Sequence, residues 1–381
     1  MTGAATLSVM ITRPPCDIGL ARQSGCPGPR DASYPAAPSV REDLGGEQLR
    51  RWAWRSNLQP SPRPISLYVH IPYCFCPCFY CGSGHDAHGA SRQPAAGERY
   101  LERILQELRL TAPLFDNRRE VIQLHFGGGP ANFLDPQQLS RALAAVAGGF
   151  HLSRKAERDF SIVLDPRHIR EGDIALLAQL GFNRVSLGVH DFDARVQQAM
   201  NRVHDVAETL AVIDACRRNA FRSVNIDLVY GLPLQTLAGF SRTLDTVIGA
   251  RPERVAIQGY AHAPARLREE PGAATGKFAG PEERLALLRL ALERLGAAGY
   301  RHVGLDQFAL PDDDLVCGTF NGHMDRTFIP HLTHAKSDLV GLGPSAISHI
   351  GNSITQNHRA LPEWEAALDQ NLLPVAHGLV V

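Results

Sequence analysis

Residues 66–85 read SLYVHIPYCFCPCFYCGSGH, and within them Cys74, Cys78 and Cys81 form a Cys-x3-Cys-x2-Cys loop directly after a strand-like run. Three thiolates on one short loop can hold three irons of a [4Fe–4S] cluster. The fourth iron then has no protein ligand nearby and is open to a small molecule. Zinc and inert thiols are the alternatives on these residues alone. Zinc sites favour Cys-x2-Cys knuckles far apart in sequence, and no second knuckle is present. Cys76 adds a fourth thiol, but four thiolates within eight positions are cramped for one tetrahedron, and Cys76 reads as a bystander.

Outward from this loop the chain alternates strand and helix. Strands are expected at Ile65–Ile71, Val121–Phe126, Phe160–Leu164, Arg184–Leu187, Ser223–Val229 and Arg254–Gln258. Helical spacing falls at 97–110, after the Asp135-Pro136 cap, and at 172–180, 205–218, 236–249 and 282–298. VIQLHF, SIVL and VNIDLVY read as strands buried on both faces. Six strand–helix units make a parallel sheet with right-handed crossovers. The fold class is α/β, an incomplete, TIM-like (β/α)6 barrel open at one side. Residues 1–60, rich in Pro, Gly and Arg, read as an irregular N-terminal arm. Residues 61–310 are the barrel and 311–381 a C-terminal extension.

Such barrels place their chemistry at the carboxyl ends of strands. The cysteine loop follows the first strand, Gly127-Gly128-Gly129 the second, Asp165-Pro166-Arg167 the third, and Gly188-Val189-His190 the fourth. Asp227 lies towards the end of the fifth, and Tyr260-Ala261-His262 follows the sixth. A triple glycine is a tight turn or a ligand cradle. An open-iron cluster beside it suits reductive cleavage of S-adenosylmethionine. Asp227 is a structural hydrogen-bond partner or an acceptor for a ribose hydroxyl or amino group. Arg202 is a surface residue or a forked carboxylate partner.

The bulk numbers limit the partners. With 39 basic and 39 acidic residues the net charge is zero, giving no electrostatic case for nucleic acid or an anionic membrane. Four of eight cysteines sit in one loop; Cys16, Cys26, Cys216 and Cys317 are scattered, which fits a reducing cytoplasm rather than a disulfide scaffold. No secretory signal is expected, and no apolar run approaches the roughly 20 residues that span a bilayer. His323, His331, His334 and His349 could suggest haem ligation, although scattered histidines are ordinary surface or core residues.

GPRDASYPAA, LYVHIPYC, HFGGGP, LDPRHI, GFNRVSLGVHDF, NIDLVYGLPLQT, YAHAP, LDQFALPDDDL and DLVGLGPSAIS occur in this order. In this the chain resembles the oxygen-independent coproporphyrinogen III oxidase family of radical S-adenosylmethionine (radical SAM) enzymes. The resemblance implies a radical SAM barrel, a [4Fe–4S] cluster on Cys74, Cys78 and Cys81, and two copies of S-adenosylmethionine. Tyr68, Gly128 and Ile347 match contacts of the cluster-bound copy. Tyr80, Gly129, Arg202, Asp227 and Ala261 match positions associated with the second. The implied reaction decarboxylates two propionates of coproporphyrinogen III to vinyls through a 5′-deoxyadenosyl radical, giving protoporphyrinogen IX in haem biosynthesis. A flavodoxin-like electron donor and a monomeric, cytoplasmic enzyme go with it.

Several positions depart from the family pattern. Ser83 replaces a fourth cysteine, Val163 a strand glutamate, Pro130 a threonine and His190 a glutamine. The family's C-terminal helical domain is expected to be missing after PVAHGLVV. These departures leave the cluster cysteines intact and bear on the second cofactor and the substrate lid. A divergent radical enzyme for another tetrapyrrole or carboxylate, a haem-binding or haem-delivery protein, and an inactive truncated paralogue are the alternative readings.

Overall fold

A computed structural model describes residues 45–75, 78, 95–260, 278–304, 306–320 and 336–380. In chain order its strands are β1 (Ile65–Ile71), β2 (Glu120–Gly128), β3 (His151–Leu152), β4 (Asp159–Leu164), β5 (Arg184–His190), β6 (Ser223–Tyr230) and β7 (Arg254–Gly259). They continue as β8 (Arg301–Gly304), β9 (Gln307–Ala309), β10 (Asp338–Leu342), β11 (Ile347–Ile350), β12 (Ser353–Asn357) and β13 (Val375–Val380). The helices that matter below are α1 (Gly46–Asn57), α2 (Ala96–Thr111), α3 (Pro136–Gly149), α4 (Asp173–Gln179), α5 (Ala194–Ala199), α6 (Val206–Arg218), α7 (Leu237–Ala250) and α8 (Pro281–Ala297). Two more, α9 (Asp314–Phe320) and α10 (Leu361–Asp369), accompany the late strands.

The six expected strands pair in parallel as β1-β2-β4-β5-β6-β7. At one edge β10 adds in parallel to β1 and carries antiparallel β11, β12 and β13. At the other, β9 and β8 add antiparallel to β7. The pairing is a path with two ends, so among the described residues the barrel stays open, as the unit count predicts. The α3 entry also follows its sequence signal. Asp135 accepts from the backbone N–H groups of Gln137 and Gln138 at 2.8 and 2.9 Å, and Gln138 Oε1 accepts from Asp135 N–H, a closed capping box.

The strands are not apolar on both faces. Leu67, Val69, Leu124, Phe126, Ile162, Val185, Leu187, Ile226 and Ile257 join the helix-packed core. The alternate positions are polar and buried, among them Ser66, Gln123, His125, Ser161, Ser186 and Asn225. A period of two therefore lines the lumen with hydrogen-bonding groups that satisfy one another, Ser66 Oγ to Gln123 Oε1 at 2.5 Å and Ser161 Oγ with His125 Nδ1 at 2.8 Å.

The expected irregular arm also needs correction, because residues 46–57 form α1. Leu49, Ala53 and Ser56 repeat at helical spacing on its buried face, while three arginines, Glu47 and Gln48 conceal the pattern in the sequence. Arg119 closes this end. It donates to Ser56 Oγ at 2.8 Å, to Asn57 Oδ1 at 3.1 Å and to Asp338 Oδ2 at 2.5 Å, joining α1, β2 and β10.

Candidate active site

The site begins where β1 and β2 end. Gly129 N–H donates to the Ile71 carbonyl at 2.6 Å. A methyl group on Gly129 would lie 2.2 Å from the Tyr73 carbonyl oxygen. Glycine is required there because two backbones touch. Gly128 has φ +95°, and a methyl on it would meet the His70 ring at 2.5 Å. The glycine turn and the start of the cysteine loop, at Ile71 and Tyr73, are thus one unit. Tyr73 anchors the loop by stacking on Phe133 at 4.9 Å, and Phe75 stacks on His168 at 3.8 Å. Burial pushes the Tyr73 hydroxyl up to about 12.

Cys74 is half-buried and Cys78 buried. Opposite them stands Arg202, only 8% exposed. Its Nε and Nη2 donate to the Gly188 carbonyl at 3.1 and 2.5 Å. Nη1 faces Cys78 Sγ at 3.7 Å and Asp165 Oδ2 at 3.6 Å. The fork edge that would grip a carboxylate is therefore occupied by a backbone carbonyl. Burial pushes the Asp165 carboxyl up, but the Arg167 hydrogen bond and the charges of Arg202 and Arg167 outweigh it and bring it down to about 2.

Two histidines flank Arg202. His190 has φ +70° at the end of β5, and its buried Nδ1 has no hydrogen-bond partner among the described residues. His204 is 9% exposed, and among the described residues its Nε2 likewise has no hydrogen-bond partner. Burial first, then the Arg202 charge, holds His190 well below the ordinary imidazole value and brings His204 to about 4. Both are neutral near pH 7.

Deeper in the lumen, Tyr68 stacks on His125 with ring centroids 5.7 Å apart, and its hydroxyl meets His70 Nδ1 at 2.8 Å. Gly341 is the β10 partner of Tyr68, and a methyl on it would lie 2.5 Å from the Ile347 carbonyl oxygen, so the Ile347 backbone runs beside the Tyr68 level. Asp227 accepts from Ser186 Oγ and Asn225 Nδ2, both at 2.7 Å. Its register partner is Gly188, whose carbonyl holds Arg202. Val163 stands on the same wall, half-buried, with Cγ2 3.1 Å from where a Gly127 methyl would lie.

Tyr68, Cys74, Cys78, Gly128, Gly129, Arg202 and Asp227 thus lie along the β1–β6 part of the lumen and its mouth, and Ile347 lies on β11, beside β10. Cys81, Tyr80 and Ala261 lie outside the described residues, as do Cys76, Ser83, His323, His331 and His334. His349 sits on β11. Asp165 belongs to the site, as its place after the third expected strand suggests; His168 and His204 also belong to it although no sequence spacing singled them out, the nearest signal being their place just after β4 and beside Arg202.

The Radical SAM superfamily pattern matches residues 68–247. The chain is 39% identical over 364 residues to an oxygen-independent coproporphyrinogen III oxidase of Pseudomonas aeruginosa, covering 95% of this chain and 78% of the relative. It is 36% identical over 354 residues to the Escherichia coli protein of the same name, covering 93% and 75%. The solved structure of Escherichia coli coproporphyrinogen III oxidase, a radical SAM enzyme, superposes with a TM-score of 0.83 over 92% of this chain and 78% of that one.

The chain belongs to the oxygen-independent coproporphyrinogen III oxidase family.

Radical SAM enzymes of this family use a [4Fe–4S] cluster and S-adenosylmethionine. The residues present fit them. Of the three expected ligand thiols, Cys78 lies 3.7 Å from a buried guanidinium and Cys74 is close enough to feel its charge, which suits an anionic thiolate-bound group. Among the described residues no three metal-ligating side chains gather, since the third loop cysteine lies outside them. No helix of the described chain is long and apolar enough to cross a membrane.

Proposed function

We propose that this protein carries out the oxygen-independent oxidative decarboxylation of coproporphyrinogen III to protoporphyrinogen IX, turning two propionates into vinyls. The observation that carries the reading is the clamp of Gly129 on the Ile71 and Tyr73 carbonyls, which sets the cysteine loop against the glycine turn in a chain of this family. Cys74, Cys78 and Cys81 would hold the cluster. Tyr68, Gly128 and Ile347 would contact the S-adenosylmethionine bound to it, and Tyr80, Gly129, Arg202, Asp227 and Ala261 a second copy. When bound, these groups supply one-electron cleavage of a carbon–sulfur bond and so the means to take a hydrogen atom from the propionate chain.

The remaining work belongs to the chain's own side chains. Ser186 and Asn225 fix the Asp227 carboxylate so that its free lone pairs are aimed rather than mobile. The Gly188 carbonyl fixes the plane of Arg202. Tyr73, Phe75 and Phe133 pack an aromatic wall behind the cysteine loop and exclude water there. A low-potential reductant of the flavodoxin class, a monomeric state and a cytoplasmic setting accompany this reading; a cysteine distribution without a disulfide framework is what supports the last.

Anaerobically reconstituted protein, given dithionite, S-adenosylmethionine and coproporphyrinogen III, should yield protoporphyrinogen IX, scored by chromatography of the oxidised porphyrins. Cys78→Ala should abolish both cluster and product. Formation of 5′-deoxyadenosine with every propionate retained would assign the chain to a different substrate.

A further inference from the structure

We propose that Arg202 is a positioning residue that raises the reduction potential of the cluster through Cys78. The inference rests on Cys78 being a cluster ligand. A charged guanidinium that is 8% exposed must be paired or it is strongly disfavoured. Two of its nitrogens meet a neutral carbonyl, that of Gly188, which orients the group without neutralising it. The third points at Cys78 Sγ, 3.7 Å away and 124 residues distant in sequence. That contact is made by the assembled barrel and not by any local turn.

Among the described residues the one carboxylate at Nη1, Asp165 at 3.6 Å, is shared. Arg167 Nη2 binds the same Oδ2 at 2.6 Å. Two guanidiniums and one carboxylate leave an excess positive charge against the thiol. When a [4Fe–4S]2+ cluster takes one electron to become [4Fe–4S]1+, its negative charge grows by one and no covalent bond or proton changes place. A buried cation and an N–H donor at a ligating sulfur favour the reduced form more than the oxidised one, and hydrogen bonds to sulfur and net charge are the levers that set such potentials. Asp165 is the counterweight in this arrangement, so its neutralisation should act in the opposite direction to loss of Arg202.

The test is a potentiometric reduction of reconstituted wild type, Arg202→Gln, Arg202→Lys and Asp165→Asn with dithionite, followed by electron paramagnetic resonance. It is done without S-adenosylmethionine, so that loss of a cofactor contact cannot contribute. Arg202→Gln should make the cluster about tenfold harder to reduce, a midpoint ~59 mV more negative for one electron. Arg202→Lys should shift it less, and Asp165→Asn should move it to a less negative value. Midpoints of Arg202→Gln and Asp165→Asn that equal the wild type, or that move in the same direction, would overturn the inference while leaving Cys78 as a ligand. If Arg202→Gln fails to hold a cluster, Asp165→Asn decides alone, and an unchanged or more negative midpoint overturns it. If the wild type itself assembles no [4Fe–4S] cluster, the assignment of Cys78 falls first and this inference with it.

Discussion

Glu107 shows how much one side chain can hold. It is 1% exposed and accepts from Gly343 N–H at 2.8 Å, Asn357 Nδ2 at 2.7 Å and Trp364 Nε1 at 3.0 Å. Burial pushes its carboxyl up to about 7 in spite of these donors. Glu107→Ala strands three buried donors, at about 1–3 kcal/mol each, whereas Glu107→Gln keeps one acceptor and should cost roughly a third as much. Urea denaturation gives the order; equal losses would mean that packing, not acceptor chemistry, is what Glu107 contributes. Gly129 is a second such residue. Gly129→Ala puts a methyl into backbone atoms that cannot rotate away, so iron and sulfide content should collapse while far-ultraviolet circular dichroism is kept. Val163 is a third. Val163→Glu would restore an acceptor on the lumen wall and should tighten S-adenosylmethionine binding by about 1.5–3 kcal/mol in calorimetry, the worth of a hydrogen bond to a charged group.

Among the elements, β10 depends on its buried ion pair. Arg119 and Asp338 have side chains 3% and 2% exposed at 2.5 Å, and α1 rests on the same guanidinium. Arg119→Ala leaves a buried carboxylate uncompensated and should cost about 3–5 kcal/mol, while Arg119→Met with Asp338→Leu should recover most of it. A double variant no more stable than the single one would show that the pair supplies more than charge balance. This edge of the sheet is also where sequence reasoning ran out. The six parallel strands, the α3 capping box and the cysteine–glycine order were legible because each has a local signature: a β-branched or apolar run, Asp-Pro at a helix start, thiols at short spacing. Strands β10 to β13 have none that identifies their neighbours, since β10 joins β1 across more than 260 residues. The polar lumen was hidden for a similar reason. His125 and Ser161 look like interruptions in an apolar run until the barrel places them opposite each other. Arg202 was legible as a site residue, but its use of Gly188 and Cys78 depends on where β5 ends.

For the molecule as a whole, the buried imidazoles set an acid limit. His204 is held at about 4, below its unfolded value of roughly 6.5, so its contribution is present above pH 6.5 and is lost as pH falls towards 4. The loss is on the order of 3 kcal/mol. His190, lowered further, adds to it in the same direction. Asp165, at about 2, gives up its own contribution only below about pH 4. Glu107 opposes them, because a carboxyl raised to about 7 favours folding more as pH falls from 7 to 4.5. The urea midpoint should therefore drop between pH 7 and 5, less in His204→Gln and more in Glu107→Gln; a flat profile in the wild type would refute the burial of these rings. The contact between Gly129 and the Tyr73 carbonyl has a consequence of another kind, one of timing. During synthesis the thiols of the loop leave the ribosome about 50 residues before the turn that clamps them. For that interval they are an unguarded nascent segment, open to the wrong metal or to oxygen. Iron that arrived before the second strand had paired would therefore meet thiols that no glycine turn yet holds in place.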